Sequence, residues 1–98
     1  MPIKTVATTV RPDASVPFYA FTEEQRTHFT NAYENAGKMT RSVEKSPDNL
    51  TKVVERTFAT EADYESYKAD SVTQAARTAR DAYNSANSHT TSVIVELV

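Results

Sequence analysis

The segment Met39–Thr60 reads MTRSVEKSPDNLTKVVERTFAT, and the fold turns on it. Two runs rich in Thr and Val, Met39–Lys45 and Leu50–Ala59, flank Ser46-Pro47-Asp48-Asn49, where proline presets a turn angle and Asp and Asn bond their own backbone. The pattern predicts a β-hairpin. Along its second strand Leu50, Val54 and Phe58 share a face with Lys52 and Arg56, while Thr51, Val53, Glu55, Thr57 and Ala59 share the other. Arg41 and Arg56 stand one on each strand. They read either as cross-strand ion partners of Glu44 or Glu55, worth about 0.2–1 kcal/mol at an exposed site, or as inward-facing cations that hold an anionic substrate. The exposed reading follows the usual solvation of charged side chains.

Outward from the hairpin, Thr60-Glu61-Ala62-Asp63 predicts a helix with Thr60 as its cap and acids in its first turn. Tyr64 and Tyr67 lie on this helix, as core or as interface. Asp70-Ser71 marks a kink or a full break, and Ser71-Val72-Thr73-Gln74 repeats a capping-box pattern. Beyond it Val72, Ala75, Ala76, Ala79, Ala82, Tyr83 and Ala86 form the stripe expected against a sheet. Upstream, Thr22-Glu23-Glu24-Gln25 is a capping box, and Phe29, Ala32, Tyr33 and Ala36 follow at helical spacing. Gly37, the sole glycine, stands where a left-handed residue would end that helix, beside Lys38. Ile3–Val10 reads as a first strand closed by Arg11-Pro12, and Asp13–Phe21 as a loop carrying Val16, Phe18, Tyr19 and Phe21. After the polar exit Asn84–His89, Ser92–Val98 reads as a last strand, apolar enough to be covered on both faces or central.

The order strand, helix, strand, strand, helix, strand predicts an α+β fold. Specifically, it predicts a ferredoxin-like β-α-β-β-α-β domain over residues 1–98, a four-stranded antiparallel sheet with helices on one face. A chain of 98 residues with 39% hydrophobic content and few large aliphatics builds a limited core. The uncovered sheet face carries further apolar groups, which predicts a sheet-to-sheet homodimer.

Composition also narrows the chemistry. The absence of cysteine excludes a disulfide framework, thiolate metal sites and a thiol nucleophile. A net charge of -2 argues against a nucleic-acid partner. No apolar run approaches the ~18 residues of a membrane span, and Met1–Val10 lacks the pattern of a secretory signal, so a cytoplasmic protein without a membrane partner is expected. Two histidines without clustered acids support no metal site, and no phosphate-binding glycine loop or Ser/His/Asp set can be assembled.

The stretch Leu50–Asp70, LTKVVERTFATEADYESYKAD, resembles the third strand and second helix of the dimeric α+β barrel superfamily, which includes antibiotic-biosynthesis-type monooxygenases and haem-degrading monooxygenases. The resemblance implies a homodimer with a pocket between sheet and helices, and allows cofactor-independent oxidation of a small aromatic or polyketide-like substrate. The haem-degrading pattern does not carry over, because the chain has no tryptophan and offers Thr5, Ala7 and Thr9 where an asparagine is required. The candidate catalytic residues are His28, Tyr33 and Arg41, with no cofactor. His28 reads as a pocket base or haem ligand, or as a solvated flanking residue. Tyr33 and Tyr83 read as bulky core, and His89 as an inert loop residue. The expected function is a homodimeric binding or structural module without an identifiable catalytic site, with a small molecule as a candidate ligand, and the cofactor-independent monooxygenase is the alternative.

Overall fold

A computed structural model describes residues 2–98. Strands β1 (Ile3–Val10), β2 (Met39–Lys45), β3 (Thr51–Phe58) and β4 (Thr90–Leu97) form one antiparallel sheet in the order β2-β3-β1-β4. Helices α1 (Glu23–Phe29), α2 (Glu61–Ala69) and α3 (Ser71–Ala86) lie on one side of it. The fold is therefore α+β with a four-stranded antiparallel sheet and three helices, a topology consistent with the ferredoxin-like arrangement.

The local signals act where the sequence places them. Thr22 accepts from the Gln25 N–H while the Gln25 side chain accepts from the Thr22 N–H, closing the capping box of α1. Thr60 caps α2 by accepting from the Asp63 N–H at 3.1 Å. Gly37 takes φ +72, the left-handed angle that glycine reaches without a Cβ penalty. The hairpin turn closes with Asn49 at φ 62 and the Asp48 carboxylate accepting from the Leu50 N–H at 3.0 Å.

Three expectations need correction, and one open alternative is decided. Helix α1 continues as a π-helical turn, Thr30–Glu34, in which the Asn35 N–H donates to Thr30 O at 2.8 Å. The wider turn shifts the phase of the stripe, so Phe29 and Tyr33 are buried but Ala36 is exposed. Asp70-Ser71 is a full break: Asp70 is extended (φ -63, ψ 127) and itself caps α3, accepting from the Val72 N–H at 2.9 Å in place of the Ser71 box. On α3 the residues turned inward are Thr73, Ala76 and Asn84, with Arg77 and Arg80 half-buried, while Ala75, Ala79, Ala82 and Ala86 face solvent. Finally, β4 is an edge strand with Val93, Ile94, Val95 and Leu97 exposed, not a covered or central one.

The register divides the sheet's helix-side face into two ends. At one, Ile3 pairs with Phe58, and Phe58 with Met39; all three are buried. Phe29, Tyr33 and Tyr67 close over them with ring centroids 5.0–6.4 Å apart, so Tyr67 is core, with Tyr64 packed at its margin. At the other end the same face carries Arg41, Lys45, Lys52 and Arg56, and the chain builds a cleft over it.

Candidate functional site: a cationic cleft between sheet and helices

The cleft begins with cross-strand register. Arg41 stands directly opposite Arg56, and Lys45 opposite Lys52, with only the Val43 and Val54 pair between them. Like charges directly opposite one another destabilise a sheet. The two glutamates once considered as their partners lie on the other face, Glu55 opposite Ser42 and Glu44 opposite Val53, and Glu55 instead pairs with Lys4 at 3.4 Å. The expectation that Arg41 and Arg56 are solvated surface groups is thereby corrected: both are half-buried and face the helices.

Opposite the sheet, α1 contributes Arg26 and α3 contributes Arg80 and Asn84. The loop after β1 supplies an aromatic wall of Phe18, Tyr19 and Phe21. A buried arginine holds that loop. Arg11 donates from Nε and Nη2 to Asn49 O at 2.9 and 2.6 Å and from Nη1 to Val16 O at 2.9 Å, with its guanidinium 4.3 Å from the centre of the Phe18 ring. The Tyr83 hydroxyl fixes the same loop by donating to Pro17 O at 2.5 Å, and His89, buried against the Phe18 and Tyr83 rings, backs it.

The enclosed space comprises two adjoining cavities of about 100 and 170 Å³ that share Ala7, Phe21, Arg56 and Arg80. Arg26, Arg41, Lys52, Arg56, Arg77 and Arg80 line them, six of the 11 basic residues of a net-negative chain, and none of its 13 acidic residues does. Among the described residues, the side chains of Arg26, Arg41, Lys52, Arg56 and Arg77 make no ion pair or hydrogen bond to protein; Arg80 meets Asp81 at 3.1 Å, at the exposed end. Burial pulls the pKa values of Arg41, Lys52 and Arg56 below their ordinary values and neighbouring cations add to the effect, while Tyr67 opposes it at both arginines and Glu34 opposes it at Arg41.

Three buried polar atoms at the rim of this space lack a protein partner: Arg41 Nε, Thr73 Oγ1 and Asn84 Oδ1. Buried polar groups are ordinarily satisfied, so each is a place for a ligand atom or water. Asn84 is fixed by donating from Nδ2 to Thr91 Oγ1 at 2.7 Å, and Thr91 in turn meets Thr9 at 3.0 Å.

The structure separates the three candidate catalytic residues. Arg41 is in the cleft, whereas His28 and Tyr33 converge on Asp70 outside it. His28 Nε2 lies 2.7 Å from the Asp70 carboxylate, and the Tyr33 hydroxyl donates to it at 2.8 Å. Burial would raise the Asp70 carboxyl, but bonds from His28, Tyr33 and the Val72 N–H outweigh it and hold it below the usual range. Burial and Asp70 push the Tyr33 phenol well above its ordinary value. The cluster locks α1 to the α2–α3 break. Phe29, Tyr33 and Phe58 belong to the packed core beside this cluster.

Comparison with known proteins adds little. No family model matches the chain, and no curated protein does. Among solved structures, a hydantoinase/carbamoylase family amidase from Burkholderia ambifaria superposes with a TM-score of 0.46 at 9% identity, over 98% of this chain and 28% of that one. The chain thus spans under a third of that protein's length. Among the described residues, no three His, Asp or Glu gather as a metal site, and no helix is long and apolar enough to cross a membrane.

Proposed function

We propose that the protein is a binding module for a small anionic molecule, held in the cleft between the sheet and α3. The observation that carries this reading is the convergence of Arg41, Lys52, Arg56 and Arg77, half-buried and without an ion pair or hydrogen bond to protein among the described residues, on two adjoining cavities that no acidic residue lines. A cation withdrawn from water without a partner costs stability, so the arrangement is favoured where an anion completes it. The aromatic wall of Phe18, Tyr19 and Phe21 suits the carbon skeleton of an organic anion. Titration calorimetry with orthophosphate and with succinate tests the reading: saturable binding that Arg56→Gln weakens at least tenfold is expected, and the absence of saturable binding of either anion overturns it.

The module is of ferredoxin-like type and pairs as a homodimer through the sheet face opposite the cleft. Support comes from the small core of eight buried apolar residues and from Val6 and Ile94, adjacent on that open face. Such pairing leaves the cleft free, because cleft and dimer surface are on opposite faces. Sedimentation equilibrium should give twice the 10.9 kDa chain mass, reverting to the monomer in Ile94→Lys. A monomer for the unaltered chain at tens of micromolar would end the dimer reading and leave the binding reading standing.

A further inference from the structure

We infer that the ligand carries two separated anionic groups, one for each lobe of the cleft, with Arg56 between them; this rests on the anion-binding reading above. The two cavities are continuous through Ala7, Phe21, Arg56 and Arg80, yet the first has three cations of its own and the second has one. The first lobe gathers Arg26, Arg41 and Lys52. The second has Arg77, together with the Thr73 hydroxyl, which is 1% exposed at the residue level and has no hydrogen-bond partner. A single compact anion fills one lobe and leaves the cations of the other unpaired. The waist between them is formed by Ala7 and the Phe21 ring, over which the Arg56 guanidinium sits at 5.6 Å, together with Arg80.

The helix supplies the measure of length. Thr73, Arg77, Arg80 and Asn84 recur at i, i+4, i+7 and i+11, one inward stripe of α3 that extends about 16 Å along its axis. The stripe has an unpartnered hydroxyl at one end, an unpartnered carbonyl at the other and two guanidinium groups between. An elongated molecule laid along it presents anionic groups to both lobes. Near Asn84 it presents a hydrogen-bond donor, because Asn84 Oδ1 can only accept. A bisphosphate and a dicarboxylate share this chemistry.

Titration calorimetry on the full chain separates the possibilities. The probes are orthophosphate, pyrophosphate and tripolyphosphate in one arm, and acetate with the dicarboxylates from succinate to pimelate in the other. At least one two-group probe should bind tenfold or more tightly than its one-group counterpart. Arg77→Gln and Thr73→Val should each remove most of that advantage, weakening two-group probes more than one-group probes, whereas Arg41→Gln should weaken both kinds of probe alike. Thr73→Val preserves side-chain volume, so it reads the hydroxyl even if Arg77→Gln fails to fold. Two-group probes that bind no better than one-group probes, with Arg41 dependence retained, overturn the two-group inference alone. An advantage that survives both second-lobe variants also overturns it. Loss of all anion binding in the unaltered chain overturns the binding reading and this inference together.

Discussion

The two ends of one sheet face are built from opposite materials. Where Ile3, Met39 and Phe58 meet across three strands, aromatic rings from α1 and α2 close over them. A few residues along the same strands, Arg41 stands opposite Arg56 and Lys45 opposite Lys52, and the helix above adds Arg80, while its Arg77 lies over Tyr67 where the second cavity reaches the aromatic end. The first end lowers the free energy of the fold; the second raises it. Arg11 is an internal control for this contrast. It is buried, with its guanidinium donating to two carbonyls and stacked on Phe18, which is how this chain treats an arginine whose work is structural. Arg56 and Arg77 also lie over rings, of Phe21 and Tyr67, but among the described residues Arg26, Arg41, Arg56 and Arg77 donate no hydrogen bond to protein, and that difference is what the anion-binding proposal rests on.

The largest expected effect breaks the aromatic end. Phe58 is fully buried, and Phe58→Ala should cost about 3–5 kcal/mol in urea denaturation followed by circular dichroism. That is a large part of the stability of a domain this small. A loss below about 1 kcal/mol would show that the aromatic end does not carry the fold. Arg11→Ala comes next, because it leaves the carbonyls of Asn49 and Val16 unpaired and uncovers Phe18. A cost of about 2–3 kcal/mol is expected, with faster hydrogen exchange at the hairpin turn. If Arg11→Ala cost no more than Arg56→Ala, the division between structural and unpaired arginines would fail.

Asp70→Asn should cost about 1–2 kcal/mol at neutral pH, because the carboxylate both caps α3 and ties His28 and Tyr33 to the break. The carboxyl is held below its ordinary value in the folded chain, so its contribution is present above about pH 4, the unfolded value, and is lost as pH falls through the lower, folded value. Urea midpoints at pH 7 and pH 2.5 measure this. The gap between the unaltered chain and Asp70→Asn should narrow in acid, and a gap of equal size at both pH values would show that the charge is not what matters.

Most of the fold was legible in sequence because its signals are local. Caps at Thr22 and Thr60, the left-handed Gly37 and the Ser46–Asn49 turn each act within a few residues, and they place the elements in order. The site was not legible in the same way. Whether Arg41 and Arg56 meet glutamates or each other depends on pairing register, which is a non-local property. The alternation of β3 put Arg56 on the Phe58 face, but the pull of solvation on charged side chains argued against following it inward. On α3 the apolar stripe of Val72, Ala75, Ala76, Ala79, Ala82, Tyr83 and Ala86 is only partly the inward one: Val72, Ala76 and Tyr83 are covered, while Ala75, Ala79, Ala82 and Ala86 are exposed. Thr73, Arg77, Arg80 and Asn84 form an equally good helical stripe, and they face in beside Ala76. Two polar residues and two arginines at i, i+4, i+7 and i+11 were the available signal. The break at Asp70, which resets the phase of α3, concealed it.

The smallest expected change has an unusual sign. Arg56→Met keeps the length of the aliphatic stem that crosses the waist of the cleft, removes the like-charge pair with Arg41, and relieves a guanidinium of burial without a partner. Without anion the variant should be more stable than the unaltered chain by about 0.2–1 kcal/mol, a rise in Tm of a few degrees at this chain length. With succinate or pyrophosphate present the order should invert. An anion that binds the folded state alone stabilises it by RT ln(1 + [L]/Kd), about 2.7 kcal/mol at one hundred times Kd, and a variant that binds at least tenfold more weakly forgoes about half of that gain or more. Thermal melts of both proteins with and without anion therefore read stability and binding in a single experiment. A variant less stable than the unaltered chain in anion-free buffer would mean that Arg56 already has its partner within the fold, and the contrast between the two ends of the sheet would then be one of composition alone.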